Sequence, residues 1–297
     1  MRFLLTAVNA KYIHSNPAVY SLQAYACQED PTLKEQIFVA EYTINQQMED
    51  VLADLYEQKP DVIGFSCYIW NIPYIEKLVR ELKKLLPQVQ IWLGGPEVSF
   101  DAEKVMEEYP QLTGIMLGEG EQTFLELAQH YRSGESDEEA LSRIAGLAIR
   151  KNGKVILTGP RVLTDLSVIP FLYDDLKKFE NKILYYESSR GCPFRCSYCL
   201  SSIDKKVRLR DLSIVKRELQ FFLDQKVAQV KFVDRTFNCN KKHAMEIWEY
   251  LLTHDNGITN FHFEIAADIL DEEQIRLLNQ FRPGAVQLEI GVQSTNE

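Results

Sequence analysis

Five short, almost wholly apolar runs at residues 2–8, 36–41, 61–66, 90–93 and 114–117 constrain the first part of this chain more than any other feature. A strand that is apolar without alternation is buried on both faces, and helical segments between such strands supply the covering layers. The pattern therefore predicts a parallel sheet sandwiched between helices. Helices are expected over 17–28, where Val19, Leu22, Tyr25 and Ala26 fall at helical spacing, and over 48–57 and 74–86. Asn71 and Pro73 read as the cap and first-turn proline of the third. Small or polar residues end the last three strands: Ser66, then Gly94-Gly95, then Gly118-Glu119-Gly120-Glu121. Glycine lets backbone approach a ligand closely. Ligands of open α/β sheets sit at the carboxyl ends of the strands, so this edge is the candidate binding edge.

Residues 133–139 are polar, and a hairpin signal follows, with Leu147–Arg150 and Lys154–Leu157 flanking Lys151-Asn152-Gly153. The domain reading is 1–132 as the doubly wound unit, 133–180 as a connector carrying this hairpin, and 181–297 as a second unit. Strands are expected there at 182–187, 229–234, 260–266 and 285–291, with helices at 213–223, 242–252 and 271–280. Repeated strand–helix units of this kind suggest a (β/α) barrel.

The second unit holds the run Ser189-Arg190-Gly191-Cys192-Pro193-Phe194-Arg195-Cys196-Ser197-Tyr198-Cys199, a C-x3-C-x2-C spacing. Three thiolates so spaced can hold three corners of a cubane iron–sulfur cluster, leaving its fourth iron without a protein ligand. A cluster more commonly takes four cysteines. Cys196 and Cys199 alone form C-x-x-C, half a zinc site or a redox pair, but neither alternative uses Cys192. Gly191 and Pro193 break regular structure just after the strand at 182–187, which places the thiols on a loop at its carboxyl end.

The other cysteines, Cys27, Cys67 and Cys239, are scattered, unlike a secreted disulfide framework. They read as small buried residues. No apolar run approaches a membrane span, and the N-terminus lacks a signal peptide's features, so a cytoplasmic protein is expected. The net charge of −10 lies wholly in residues 1–180, since acidic and basic residues balance from Asn181 onward. An acidic first half argues against broad nucleic-acid binding. The basic strip 205–210 reads as a solvated face or a set of local ion pairs.

The cysteine run resembles the signature of the radical S-adenosylmethionine (SAM) superfamily, in which an aromatic residue, here Tyr198, precedes the third cysteine. The resemblance implies a [4Fe–4S] cluster on Cys192, Cys196 and Cys199. Its open iron would chelate SAM, and an electron supplied by a flavodoxin- or ferredoxin-like donor would release a 5′-deoxyadenosyl radical. In that family the region of Asp234 meets the amino group of SAM, although Asp234-Arg235-Thr236 stands here in place of Gly-Gly-Glu. Glu264 is a candidate acceptor from the ribose hydroxyls, and Gln293 a candidate contact to the adenosyl group. Four barrel strands are present where the family core has six, which predicts a piece of a longer enzyme.

Residues 1–130 resemble the cobalamin-binding (B12-binding) domain that precedes many radical SAM domains. That domain is a five-stranded doubly wound, Rossmann- or flavodoxin-like module with Gly-Gly after its fourth strand and Gly-Glu-Gly-Glu after its fifth. Ser66, Gly94, Gly95, Gly118, Glu119 and Gly120 thereby become cobalamin candidates, together with Asn9, Tyr12, His14 and Ser15 in the loop after the first strand. That loop lacks the Asp and Gly of D-x-H-x-x-G, the pattern that supplies a histidine ligand to cobalt. It resembles instead the Asn-Ala-Lys-Tyr-Ile-His-Ser segment of a bacterial group with no assigned reaction. The resemblances imply an α/β enzyme with a partial radical SAM barrel that uses cobalamin, possessing an unknown substrate and methyl transfer to an unactivated carbon as one available reaction. Alternatives are an RNA-modifying methylthiotransferase-like enzyme, which would carry three further N-terminal cysteines, and a non-enzymatic iron–sulfur electron carrier or sensor.

Overall fold

In the first unit the apolar runs become strands: β1 (Phe3–Asn9), β2 (Ile37–Thr43), β3 (Val62–Ser66), β4 (Gln90–Gly94) and β5 (Gly114–Met116). The computed structural model describes residues 1–134, 138–203 and 206–292. Two compact units divide it, one of Met1–Thr164 with Ile169–Asp174, the other of Asp165–Val168 with the chain from Asp175 onward. The strands run parallel in the order β2-β1-β3-β4-β5. Helices α1 (Pro17–Glu29), α2 (Met48–Gln58), α3 (Ile72–Leu85), the single turn α4 (Pro96–Ser99), α5 (Ala102–Glu108) and α6 (Glu121–Ser133) connect them or follow.

Successive side chains of a strand point to opposite faces, and the core divides accordingly. Leu4, Val8, Ile63, Phe65, Ile91 and Leu93 pack on one side with residues of α2, α3 and α5. Phe3, Leu5, Ala7, Val62, Trp92 and Met116 pack on the other with residues of α1 and α6. Both faces are thus dry, as the unbroken apolar runs require.

The hairpin expected in the connector joins this sheet instead. Its strands β6 (Leu147–Lys151) and β7 (Lys154–Leu157) lie antiparallel beyond β5, pairing Ile115 with Ala148, and extend the sheet to seven strands. Asn152 and Gly153 both take positive φ in the two-residue turn. The buried triplet Leu147, Ala148 and Ile149 explains the docking, because it covers what would otherwise be an open apolar edge. A second difference concerns Asn71, which occupies the N-cap position of α3 but makes no side-chain cap. Its amide donates to Val8 O and Ser66 O, both at 2.9 Å, and so ties the ends of β1 and β3 together.

After α7 (Glu138–Ser142) in the first unit, the second contains β8 (Leu184–Tyr186), β9 (Ser189–Arg190), β10 (Arg208–Leu209), β11 (Gln229–Phe232), β12 (Asn260–Ile265) and β13 (Val286–Ile290). Strands β8, β11, β12 and β13 form one parallel sheet in chain order. They alternate with α8 (Leu212–Asp224), α9 (Lys241–Thr253) and α10 (Glu272–Leu278). Asp211, Asn240 and Asp271 cap these helices, the last with Gln274 in a capping box. One face of the sheet is an aromatic core in which Phe232, Phe237 and Phe263 lie with centroids 4.3–5.2 Å apart. The register places Tyr185, Lys231, His262, Gln287, Glu264 and Glu289 on the alternate positions. Among the described residues no helix is long and apolar enough to cross a membrane.

Candidate cofactor sites

The cysteines occupy a loop whose two feet are pinned together. Strands β9 and β10 pair antiparallel, Arg190 with Arg208 and Ser189 with Leu209, just beyond the end of β8. Gly191 leaves this ribbon at φ +101°, and a Cβ there would stand 2.5 Å from Lys206 O, so backbone meets backbone where no side chain fits. All three cysteines are free thiols. Cys192 is 8% exposed, with Sγ 3.6 Å from Thr236 Oγ1. Cys196 is half-buried, Cys199 exposed, and the two are joined by a turn in which Cys199 N donates to Cys196 O at 3.1 Å. Tyr198 stands out into solvent.

Three unpaired sulfurs on one short loop are a donor set suited to iron. Among the described residues no three His, Cys, Asp or Glu side chains are gathered closely enough to hold a metal ion, so holding a cluster requires this loop to close around it.

The residues expected to meet SAM are placed unequally. Asp234, two residues past β11, is fully buried and accepts from Ser188 N at 2.9 Å, Ser188 Oγ at 2.6 Å and Ser189 Oγ at 2.6 Å. Burial pushes its carboxyl up to about 6, against the pull of those three donors. In this structure the group expected to meet an ammonium faces inward. Glu264 lies on the polar positions of β12, 3.2 Å from Lys231, which also reaches Glu289 at 2.9 Å. Gln293 lies outside the described residues. The basic strip is no open cationic surface at Arg210, which is buried in a bidentate pair with Glu218.

In the first unit, the loop after β1 is organised around Glu41 at the end of β2. Asn9 Nδ2 donates to Glu41 Oε1 at 2.9 Å and to His14 O at 3.0 Å, Asn16 N donates to the same Oε1 at 2.8 Å, and Tyr20 donates to Oε2 at 2.9 Å. Burial first, and then the Glu41 charge, lift the Tyr20 phenol above its ordinary value. Asn16 caps α1 through its oxygen and donates through Nδ2 to Ser66 Oγ at 2.8 Å. Asn9, Ser15 and Ser66 are therefore buried, with Asn9 and Ser66 tied into this wall, while Tyr12 is exposed and His14 half-exposed.

Gly95, at φ +106°, has Cys67 O only 2.5 Å from where a Cβ would stand, whereas Gly118 at φ +70° has open space around it. Gly94 meets only ordinary contacts to Met116, and Gly120 abuts Leu22. Glu119 accepts from Thr164 N at 2.9 Å, and Glu121 is buried against Ser21. Around this edge the loops after β1, β3 and β4 expose Tyr12, Ile13, Ile69, Trp70 and Phe100. An apolar rim beside an open glycine fits a broad macrocycle such as a corrin. Gly95→Ala is expected to destabilise the first unit by about 2 kcal/mol or more, since positive φ and a backbone clash coincide. Calorimetry would show it as a lowered melting temperature.

Sequence reasoning passed over Glu41, Ser188, Thr236 and His243. Their roles arise from partners distant along the chain, and only the Ser-Ser pair ahead of Arg-Gly-Cys offered a local hint.

Comparison with known proteins finds a domain match in each unit. Residues 6–128 match the B12 binding domain and residues 186–297 the radical SAM superfamily. The chain thus carries a B12-binding domain ahead of a radical SAM domain. An uncharacterized methyltransferase of Pyrococcus horikoshii is 30% identical over 208 residues, 67% of this chain and 44% of that protein. The anaerobic magnesium-protoporphyrin IX monomethyl ester cyclase of Rubrivivax gelatinosus is 27% identical over 274 residues, 87% of this chain and 48% of the relative. The chain thus spans about half the length of the curated relatives it matches. A solved structure of the radical SAM methyltransferase TsrM from Kitasatospora setae, with cobalamin and a [4Fe–4S] cluster bound, shares the fold at a TM-score of 0.76 and 18% identity, over 98% of this chain and 59% of that one. The radical SAM domain implies a [4Fe–4S] cluster and SAM, and the B12-binding domain implies cobalamin.

Proposed function

We propose that the protein is a cobalamin-dependent radical SAM enzyme that reductively cleaves SAM and transfers a methyl group to an unactivated carbon. The observation that carries this reading is the coexistence, in one chain, of three free thiols on a pinned loop and a 2-1-3-4-5 sheet whose carboxyl edge presents Gly118 and an apolar rim. When bound, the cluster supplies the electron that breaks a sulfonium carbon–sulfur bond, and cobalamin supplies a carrier for the methyl group.

The chain's own contribution is placement. Cys192, Cys196 and Cys199 would hold the cluster, while the β9–β10 ribbon holds the loop's feet at the end of β8. The Asn9–Asn16 loop, braced on Glu41 and Ser66, would form the wall of the cobalamin site, with Gly118 keeping a side chain out of the cofactor's way. A methylthiotransferase-like reading needs three further N-terminal cysteines. Residues 1–130 offer two, of which Cys67 is buried and Cys27 half-buried.

Anaerobically reconstituted protein mixed with SAM and dithionite should release 5′-deoxyadenosine, and SAM labelled in its methyl group should pass the label to added cobalamin. Absence of both products overturns the reading. Deoxyadenosine without label transfer overturns the methyl-transfer step alone.

A further inference from the structure

We infer that, given the radical SAM reading proposed above, Asp234 is a positioning residue that clamps Ser188 and Ser189, the foot from which the cysteine loop springs, and thereby fixes where the Cys192 thiol sits. A carboxylate that receives a ligand's ammonium needs an oxygen turned toward solvent or a cavity. Asp234 is 0% exposed, with Oδ1 taking both serine hydroxyls and Oδ2 taking the Ser188 amide. Charge-assisted bonds this short in a buried place are among the stiffest contacts a protein makes.

The clamp extends to a second layer. The single hydroxyl proton of Ser188 goes to Asp234, so His243 Nε2, 3.2 Å away, must donate to Ser188 Oγ. Burial holds His243 below its ordinary value. His243, Ser188, Asp234 and Ser189 thus form one chain of hydrogen bonds with its acceptor at the centre.

The segment carrying Asp234 touches the cysteine loop at two points. Asp234 holds the foot, and Thr236, two residues on, lies against Cys192 Sγ at 3.6 Å. From the other side, Arg210 N donates to Ser188 O at 2.9 Å and β10 pairs with Ser189, which ties the returning foot to the same serines. Two fixed points four residues apart, Ser188 and Cys192, leave the first thiol little freedom. Cys196 and Cys199 lie farther along the loop and are more exposed.

The test uses the full chain as Asp234→Asn and Ser189→Ala, reconstituted anaerobically. The readouts are the rate at which a chelator strips iron and the SAM concentration that half-completes the change in the reduced cluster's paramagnetic resonance signal. Iron loss is expected to accelerate about tenfold in Asp234→Asn and roughly threefold in Ser189→Ala. SAM half-saturation should stay within about twofold of the parent protein in both. Unchanged iron loss in both variants, with SAM half-saturation raised about tenfold in Asp234→Asn, would overturn the clamp and make Asp234 a cofactor contact. Should Asp234→Asn fail to fold by circular dichroism, Ser189→Ala decides alone, because losing one hydroxyl spares the fold and unchanged iron loss there overturns the clamp. Parent protein that holds neither iron nor acid-labile sulfide removes the radical SAM reading itself, a failure visible before any variant is made.

Discussion

Cys192→Ala is expected to abolish SAM cleavage, lowering 5′-deoxyadenosine by more than about a hundredfold, beyond the range typical of losing an outer-shell partner. Bound iron should fall in parallel. The loop has no spare sulfur within it, and of the three thiols Cys192 is the one held inside the protein, beside Thr236 and four residues from the pinned Ser188. Cys196→Ala and Cys199→Ala should be as damaging to cleavage, since a three-cornered cage loses a corner in each case. Cys27→Ala supplies the contrast: it lies on α1, half-buried against the first unit's core, and burial raises its thiol above its ordinary value, so iron content should be unaffected. Iron and sulfide analysis with chromatographic detection of 5′-deoxyadenosine checks all four. A Cys192→Ala protein that retained full iron and full cleavage would remove this loop from the chemistry.

The parallel strands of both units and the helices α1–α3 and α8–α10 were legible because each is announced locally. An unbroken apolar run such as Val62–Ser66 reads as a doubly buried strand, and Val19, Leu22, Tyr25 and Ala26 at helical spacing mark α1. Pairing was less legible. The Asn152-Gly153 turn revealed a hairpin, but nothing near it says that Ala148 will lie against Ile115, because that choice depends on which sheet edge is left uncovered.

The site divides along the same line. Three cysteines within eight positions are a local signal, and the glycines ending β4 and β5 are nearly so. The direction in which a carboxylate points is not local. Asp234 follows an apolar strand at the right place for a cofactor contact, yet Ser188 and Ser189, far earlier in the chain, take up its oxygens. Glu41 and Arg210 behave likewise, each looking like an ordinary surface charge until its partner is brought up by the fold.

Arg210 supports the second large effect. Its guanidinium reaches Glu218 Oε1 at 2.7 Å and Oε2 at 3.1 Å and also donates to Leu166 O, and the two side chains are 6% and 3% exposed. Tyr186 donates to the same Glu218 Oε2 at 2.7 Å, and burial, then that carboxylate, hold its phenol far above the usual range. Arg210→Met strands a buried anion, which typically costs about 3–5 kcal/mol. At about 2–4 °C per kcal/mol for a chain of this size, melting should fall by roughly 10 °C. Removing both charges as Arg210→Met/Glu218→Leu should recover much of that loss, because an apolar pair leaves no stranded charge. Breaking the exposed Lys84–Glu81 pair should change stability by no more than about 0.5 kcal/mol, since water solvates either partner. If the single and double Arg210 variants melt alike, the stranded Glu218 charge is not what the protein feels. The same substitution acts at the returning foot of the cysteine loop, since the backbone N–H of residue 210, which the variant keeps, donates to Ser188 O and the stranded charge lies beside it. Faster loss of iron should therefore accompany the lowered melting in Arg210→Met and be relieved in the double variant, which would tie the stability of this buried pair to the retention of the cluster.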